Sequence, residues 1–424
     1  MRSAICLLAL VVLCIATKPI TLDLVRMAPK HTELSATPRD YRTKLQGGHT
    51  VPIGGSILWK PTGAYYANVT VGSPPQAVLA LLDSGSSDLL VTTKMCEGCN
   101  KNKAIEFEPK DSSSIKNVAC NDPDIRCQKC GSEGCEFMNA YLTCAPDPNQ
   151  VCIMKGPIYR DVFGVEGTNL GTPVNFGAIS FMNITFPGGL NGISAIWGLS
   201  YRGTTSYNEV PAFQALVDAH QLDNVFSMCL HERGGKITLG GIDESLYTGD
   251  ISYTPVTSDY YYSMRMLDLE VGGESLGFDP TFWNANGGSV LDSGTYSLYV
   301  PDKAYKQIFK ALTLLCDKQT LTGICGLSFQ DSLFGGKCFS LTSDQLDAFP
   351  NLTVVLDGVK LTVEPVYYLL NYGSQTNSSY CLGIQNGGPG SLTIHGDVVM
   401  LGYYTIFDRA NKQIGFAKRN TANC

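Results

Sequence analysis

The stretch Leu79-Ala-Leu-Leu-Asp83-Ser-Gly85-Ser-Ser-Asp-Leu-Leu-Val91 decides how this chain is read. Val78 to Leu82 is an apolar run with the length and composition of a buried strand. It ends on Asp83, turns through Ser84-Gly85-Ser86, and apolar sequence resumes at Leu89. A carboxylate at the end of a buried strand is costly unless neighbouring groups stabilise its charge. Gly85 permits close approach of backbone amides, and Ser84 and Ser86 bring hydroxyls.

The same text returns in the second half of the chain as Gly288-Ser-Val-Leu-Asp292-Ser-Gly294-Thr-Tyr-Ser-Leu-Tyr-Val300. Val290 and Leu291 enter, Asp292 sits in the turn, and Leu298 to Val300 leave. One Asp-Ser-Gly is an ordinary surface turn. Two, each between apolar strands and one per half, argue for a duplicated unit. Two such turns face to face bring Asp83 and Asp292 together around one water. At that range both cannot ionise, so they share a proton and supply an acid and a base in one place.

With these turns in view the chain resembles the pepsin-like aspartic proteases, from about Tyr65 to the C-terminus. Further motifs carry the likeness: Leu239-Gly-Gly-Ile-Asp243 followed by Tyr247-Thr-Gly249, and Phe407-Asp-Arg-Ala410 followed by Ile414-Gly-Phe-Ala417. The texture of the C-terminal half is nearest to the memapsins. The resemblance implies an all-β bilobal fold with a cleft between two related lobes. The first lobe is expected over 51–250 and the second over 251–424. It also implies peptide-bond hydrolysis in acid by water held between Asp83 and Asp292, with no cofactor and no metal. One aspartate takes a proton from the attacking water while the other protonates the carbonyl oxygen. Which of them is ionised is a property of the pair.

By the same resemblance, Ser84 and Ser293 stand where Thr is commoner and keep the hydroxyl that ties the two loops. Gly85 and Gly294 complete the turns, and Ser86 and Thr295 bond the outer carboxylate oxygens. Leu90 replaces the Trp of pepsin. Ala195-Ile-Trp-Gly-Leu-Ser200 matches the element packed behind the first aspartate loop. Thr393-Ile-His-Gly-Asp397 is its counterpart, with His395 where an apolar residue is usual. His395 is read as a hydrogen-bonded structural residue, with tuning of the second aspartate as the rival reading. Tyr261, in Asp259-Tyr-Tyr-Tyr-Ser263, is expected to line the substrate groove or to pack at the lobe junction.

The family carries a tyrosine on a β-hairpin that folds over the aspartates and holds substrate backbone. Gly156-Pro-Ile-Tyr-Arg-Asp161 has the spacing that follows such a hairpin, and counting back through an enlarged hairpin reaches Tyr141. Tyr159 competes for the role.

Composition agrees with an exported β protein. Charged residues make up 16% of the chain, with 44 Gly and 21 Tyr, which favours turn-rich sheet. A formal net charge of −7 argues against a nucleic-acid partner. Residues 1–16 read as a signal peptide: Arg2, an apolar run from Ala4 to Ile15, then Cys14-Ile-Ala16. That run is too short to span a bilayer, and the tail from Lys418 to Cys424 is polar, so no membrane anchor is expected. Residues 17–50 set Lys18, Arg26, Lys30, Arg39, Arg42 and Lys44 against Asp23, Glu33 and Asp40. A basic leader before an acidic body resembles an inhibitory propeptide that loosens as carboxylates take up protons. A monomer acting on peptides, secreted or delivered to a lysosome or vacuole, is the expected whole.

Loss of Cys6 and Cys14 with the leader leaves an even number of cysteines, read as disulfides rather than zinc ligands in an oxidising compartment. Cys144 and Cys152 are expected to close a hairpin around Ala145-Pro-Asp-Pro-Asn149. The remaining pairings offered are Cys316 with Cys325, Cys338 with Cys381 as in memapsins, and Cys229 with Cys424. Sequons at Asn68, Asn183, Asn351 and Asn377 fit glycosylation on the export route. Two rival functions remain open: a catalytically inactive member of the fold that acts as a secreted binding protein, and a carboxylate-pair glycosidase.

Overall fold

The computed structural model describes residues 20–27, 64–99, 106–141, 152–183, 194–231, 234–285, 287–373 and 378–424. The strands that place the site are, in chain order, β1 (Ile20–Met27), β2 (Ala64–Val71), β3 (Gln76–Asp83), β4 (Leu89–Glu97), β5 (Gly134–Tyr141), β6 (Cys152–Val165), β7 (Gly171–Met182) and β8 (Ala195–Gly198). There follow β9 (Val225–His231), β10 (Gly234–Leu239), β11 (Tyr247–Pro255), β12 (Ser289–Leu291), β13 (Leu298–Val300), β14 (Ile384–Asn386), β15 (Thr393–His395), β16 (Tyr403–Asp408) and β17 (Gln413–Arg419). Helices are few and short. The longest among the described residues, α1 (Asp302–Leu314), turns Ala304, Tyr305, Ile308 and Leu312 inward at helical spacing.

The fold is all-β and bilobal, and its halves share one construction. In the first lobe β8 is inserted between β3 and β4, parallel to β3 with Gly198 opposite Asp83, and antiparallel to β4. In the second, β15 is inserted between β12 and β13, parallel to β12 with His395 opposite Leu291, and antiparallel to β13. The next strand out is parallel in both lobes, β7 beside β4 and β14 beside β13. The apolar runs of the sequence dictate this layering. Leu82, Leu89, Val91, Leu291, Leu298 and Val300 are all buried, so each aspartate turn projects from two core-facing strands.

The lobes are bridged by sheet. The order β11-β17-β16-β9-β10-β1-β2-β3 runs from the chain end into the first lobe. Strand β1 is the link, pairing Ile20 with Leu239 on one side and Val25 with Tyr66 on the other. The leader therefore contributes a sheet strand, an element that its charge pattern did not foretell. Lys30 and Lys44, the leader lysines offered as able to reach the aspartates, lie outside the described residues.

Disulfides join Cys96 to Cys99, Cys120 to Cys130 and Cys127 to Cys135 in the first lobe. Others join Cys316 to Cys325, Cys338 to Cys381, and Cys229 on β9 to the terminal Cys424. Cys96-x-x-Cys99 and Cys127-x-x-Cys130 have the spacing of a zinc site, but all four cysteines are taken up in disulfides, Cys127 and Cys130 with different partners. The Cys144–Cys152 pairing lies outside the described residues. Of the sequon asparagines, Asn351 is exposed, Asn68 and Asn183 are half-buried, and Asn377 lies outside them. Among the described residues no helix is long and apolar enough to cross a membrane.

Candidate active site

Asp83 ends β3 and Asp292 directly follows β12, so the two matched strands deliver their carboxyl groups to the same place. The turns interlock through their serines. Ser84 N–H donates to Ser293 Oγ at 3.1 Å and Ser293 N–H to Ser84 Oγ at 2.8 Å. Ser84 Oγ in turn donates to Leu291 O, and Ser293 Oγ to Leu82 O. Both serines are fully buried. These bonds bring the carboxyl groups within hydrogen-bond reach of each other.

Glycine is required at the centre of both turns. A Cβ on Gly85 would stand 2.6 Å from Asp292 Cγ, and one on Gly294 would collide with the Asp83 carboxyl. Each turn then satisfies its own carboxylate. Gly85 N–H donates to Asp83 Oδ1 at 2.9 Å and Gly294 N–H to Asp292 Oδ1 at 2.8 Å. Ser86 Oγ donates to Asp83 Oδ2, and Thr295 Oγ1 donates to Asp292 Oδ2 at 2.5 Å. Burial, then the neighbouring Asp292 charge, pushes Asp83 up from the ordinary carboxylate range to about 7, against the opposing effect of Ser86 and Gly85. A carboxyl raised that far keeps its proton at acidic pH.

The supporting elements differ in one respect. Behind Asp83, Trp197 is buried and packs edge-on to Phe163 with ring centroids 5.1 Å apart. Behind Asp292, the carbonyl of His395 accepts Asp292 N–H at 3.0 Å, while the imidazole turns away and meets Ser289 Oγ at 2.5 Å. Burial pulls His395 down from 6.5 to about 3, so the ring is neutral. Its role in this geometry is structural.

Tyr261 is half-buried, edge-on to Tyr260, and the charges of Asp292 and Asp83 both raise its phenol, after burial and Tyr260. It therefore lies within electrostatic range of the aspartate pair. Tyr141 ends β5 opposite Cys152 in the β5–β6 hairpin. Its side chain lies outside the described residues. Tyr159, the competing candidate, is buried and donates its hydroxyl to Glu133, which removes it from a substrate-facing role.

Arg409 was missed as a site residue, although it stands in the Phe407-Asp-Arg-Ala410 motif. Its buried guanidinium donates to Leu199 O at 3.1 Å and Ser200 O at 3.3 Å, and Tyr262 OH donates to the same Leu199 O. Leu199 N–H in turn donates to Asp83 O at 2.8 Å. A second-lobe cation thus braces the first aspartate turn. Its partners, the two backbone carbonyls, Gln214 Oε1 at 2.9 Å and Tyr262 OH at 3.4 Å, include no carboxylate and lie far away in sequence, so no local signal announces the role.

Comparison with known proteins agrees with this geometry. The sequence matches the family description Eukaryotic aspartyl protease over residues 64–128 and 152–419. The interruption at 129–151 covers β5. Gastricsin of Oryctolagus cuniculus is 30% identical over 378 residues, covering 85% of this chain and 84% of that protein. Gastricsin of Homo sapiens is 29% identical over 380 residues, covering 85% and 84%, and that of Cavia porcellus is 28% identical over 378 residues, covering 85% and 83%. A two-lobed sheet protein with interlocked Asp-Ser-Gly turns, matched over most of its length, belongs to the eukaryotic aspartyl protease family, the pepsin-like aspartic endopeptidases.

Proposed function

We propose that this chain is a secretory-pathway endopeptidase in which Asp83 and Asp292 activate a water between them, made as a zymogen and active in acid. The observation that carries the reading is the contact between the two carboxyl groups, held by reciprocal serine bonds and by glycines that leave no room for a side chain. In the single-proton state the ionised member removes a proton from water as its oxygen attacks the peptide carbon. The protonated member donates to the carbonyl oxygen, and collapse of the tetrahedral adduct passes a proton to the leaving nitrogen. Neither step makes a covalent bond to the protein.

Acid operation follows from the raised Asp83 carboxyl, since the shared proton is lost as pH approaches about 7. The zymogen reading rests on the basic leader and on β1, which seats that leader between β2 and β10. Export is supported by the disulfides. Tyr261 and the β5–β6 hairpin with Tyr141 are assigned to substrate binding, and Asn68, Asn183, Asn351 and Asn377 to glycosylation.

The test is digestion of an acid-denatured protein by wild type, Asp83→Asn and Asp292→Asn, with and without a pepstatin-type inhibitor. Either substitution is expected to abolish turnover while leaving the unfolding transition in place. Substantial turnover by either variant ends the assignment. Full activity near neutral pH with residues 17–50 attached ends the zymogen reading.

A further inference from the structure

A second close pair of carboxyl groups lies in the first lobe, away from the cleft pair. Asp88 leaves the first aspartate turn and Glu209 ends the loop that follows β8; each is 2% exposed. Hydrogen-bond donors converge on Asp88. Ser206 N–H reaches Oδ1 at 2.9 Å, Ser206 Oγ reaches Oδ2 at 2.6 Å, and Asn139 Nδ2 also donates to Oδ2. Glu209 is within hydrogen-bond reach of Asp88; besides that carboxyl only backbone N–H groups, its own and that of Tyr207, act on it, and among the described residues neither of its oxygens receives a side-chain donor. Where two buried carboxyl groups touch and the side-chain donors gather on one, the other is the better place for the proton and gives it as a hydrogen bond. Burial and the Asp88 charge hold Glu209 well above its ordinary range, in keeping with that arrangement.

The third member ties this pair to the hairpin. Asn139 stands on β5 opposite Met154, two residues before the strand ends. Phe137 and Asn139 turn inward and are buried, whereas Met138 between them is 56% exposed. Phe137 packs in the same small core as Leu90 and Tyr207, beside the strand that leaves Asp88. Asp88 O accepts Gly198 N–H at 3.0 Å, which joins the same turn to β8 behind Asp83.

We propose that Asn139, Asp88 and Glu209 form a clasp that fixes the outer part of the β5–β6 hairpin to the turn carrying Asp83, making Asn139 a positioning residue for peptide binding. The effect on peptides rests on the endopeptidase reading; the clasp itself does not. Glu209 acts as a neutral donor that completes the shell around the Asp88 carboxylate, and Asn139 transmits that fixed position to β5.

The test uses the full chain and three variants, Asn139→Leu, Glu209→Gln and Glu209→Leu. Amide hydrogen exchange over β5 reads the clasp directly, with the β3 amides as the control for global loosening. Asn139→Leu is expected to speed exchange across β5 by roughly tenfold with β3 unchanged. It should raise KM roughly five- to tenfold while kcat stays within about twofold, the pattern of lost uniform binding. Glu209→Gln keeps a donor toward Asp88 and should match wild type in both readouts. Glu209→Leu removes the donor and should move both in the direction of Asn139→Leu. Unchanged β5 exchange in Asn139→Leu, or a Glu209→Gln variant as loosened as Glu209→Leu, overturns the proposal. Faster β5 exchange in Asn139→Leu, with a wild type that cleaves no peptide, upholds the clasp and removes the endopeptidase reading instead.

Discussion

Ser84 and Ser293 exchange hydrogen bonds across the two lobes, each hydroxyl accepting the other's backbone N–H and donating to the carbonyl just before the opposite aspartate. Four buried bonds therefore depend on two side chains. Ser84→Ala leaves Ser293 N–H and Leu291 O without their partner, and each buried orphan costs about 1–3 kcal/mol. Ser84→Ala and Ser293→Ala are each expected to lower stability by about 2–4 kcal/mol in urea unfolding. The double variant should cost less than the sum, because both single changes break one shared network. Additive losses would show that the two turns do not act as a unit.

The Asp83 carboxyl makes stability depend on pH in a definite direction. Its native value, about 7, lies above the unfolded value of 3.8, so the native state keeps a proton that the unfolded chain releases. That contribution is complete below 3.8 and is lost as pH rises toward 7, at no more than about 1.4 kcal/mol per pH unit. Asp83→Asn should flatten the fall. Unfolding free energies of wild type and variant, measured from pH 4 to about pH 7, should diverge in favour of the variant as pH rises. Parallel curves would contradict this.

His395 works in the opposite sense. The unfolded chain binds a proton near 6.5, whereas the buried ring stays neutral down to about 3. Stability from this group is therefore present above 6.5 and lost as pH falls toward 3, again by about 1.4 kcal/mol per pH unit. His395→Gln offers Ser289 a partner without the titration. It should blunt acid unfolding, read as a lower midpoint pH in an acid titration of tryptophan fluorescence. An unshifted midpoint would mean that His395 is not the group that limits acid stability.

Tyr261 lies within electrostatic range of the aspartate pair, partly buried against Tyr260. If it lines the peptide groove, Tyr261→Ala removes apolar contact with substrate, and roughly 1–2 kcal/mol of lost burial corresponds to about a five- to thirtyfold rise in KM. Tyr261→Phe should stay within about twofold. Steady-state kinetics on one peptide at fixed pH distinguishes groove lining from packing at the lobe junction, because packing alone would lower stability without a selective change in KM.

The Cys229–Cys424 bridge closes a loop with a sequence separation of 195 and pins the chain end to β9. A cross-link over so long a loop restricts the unfolded chain strongly, and removing it should cost about 2–5 kcal/mol. Cys229→Ala with Cys424→Ala is expected to lower the denaturation midpoint while the variant still folds. A midpoint equal to wild type would show that the packing of β9 against β16 suffices.

Much of this protein was legible from its letters. Two apolar strands ending in Asp-Ser-Gly, one per half, specify a duplicated sheet unit, since period and turn chemistry are local properties. By resemblance, the Ala195-Ile-Trp-Gly and Thr393-Ile-His-Gly stretches are expected behind the two turns; that each is a strand inserted between the turn's arms came from the structure. Only the tertiary structure decided which carbonyls Arg409 would brace, where the imidazole of His395 would turn, and that Asn139, Asp88 and Glu209 would meet. Those residues come from strands, turns and loops far apart in sequence, and a polar side chain's partner is chosen by what burial leaves within reach. Strand β1 makes the same point: a leader read by its charge is sheet, paired with β10 on one side and β2 on the other.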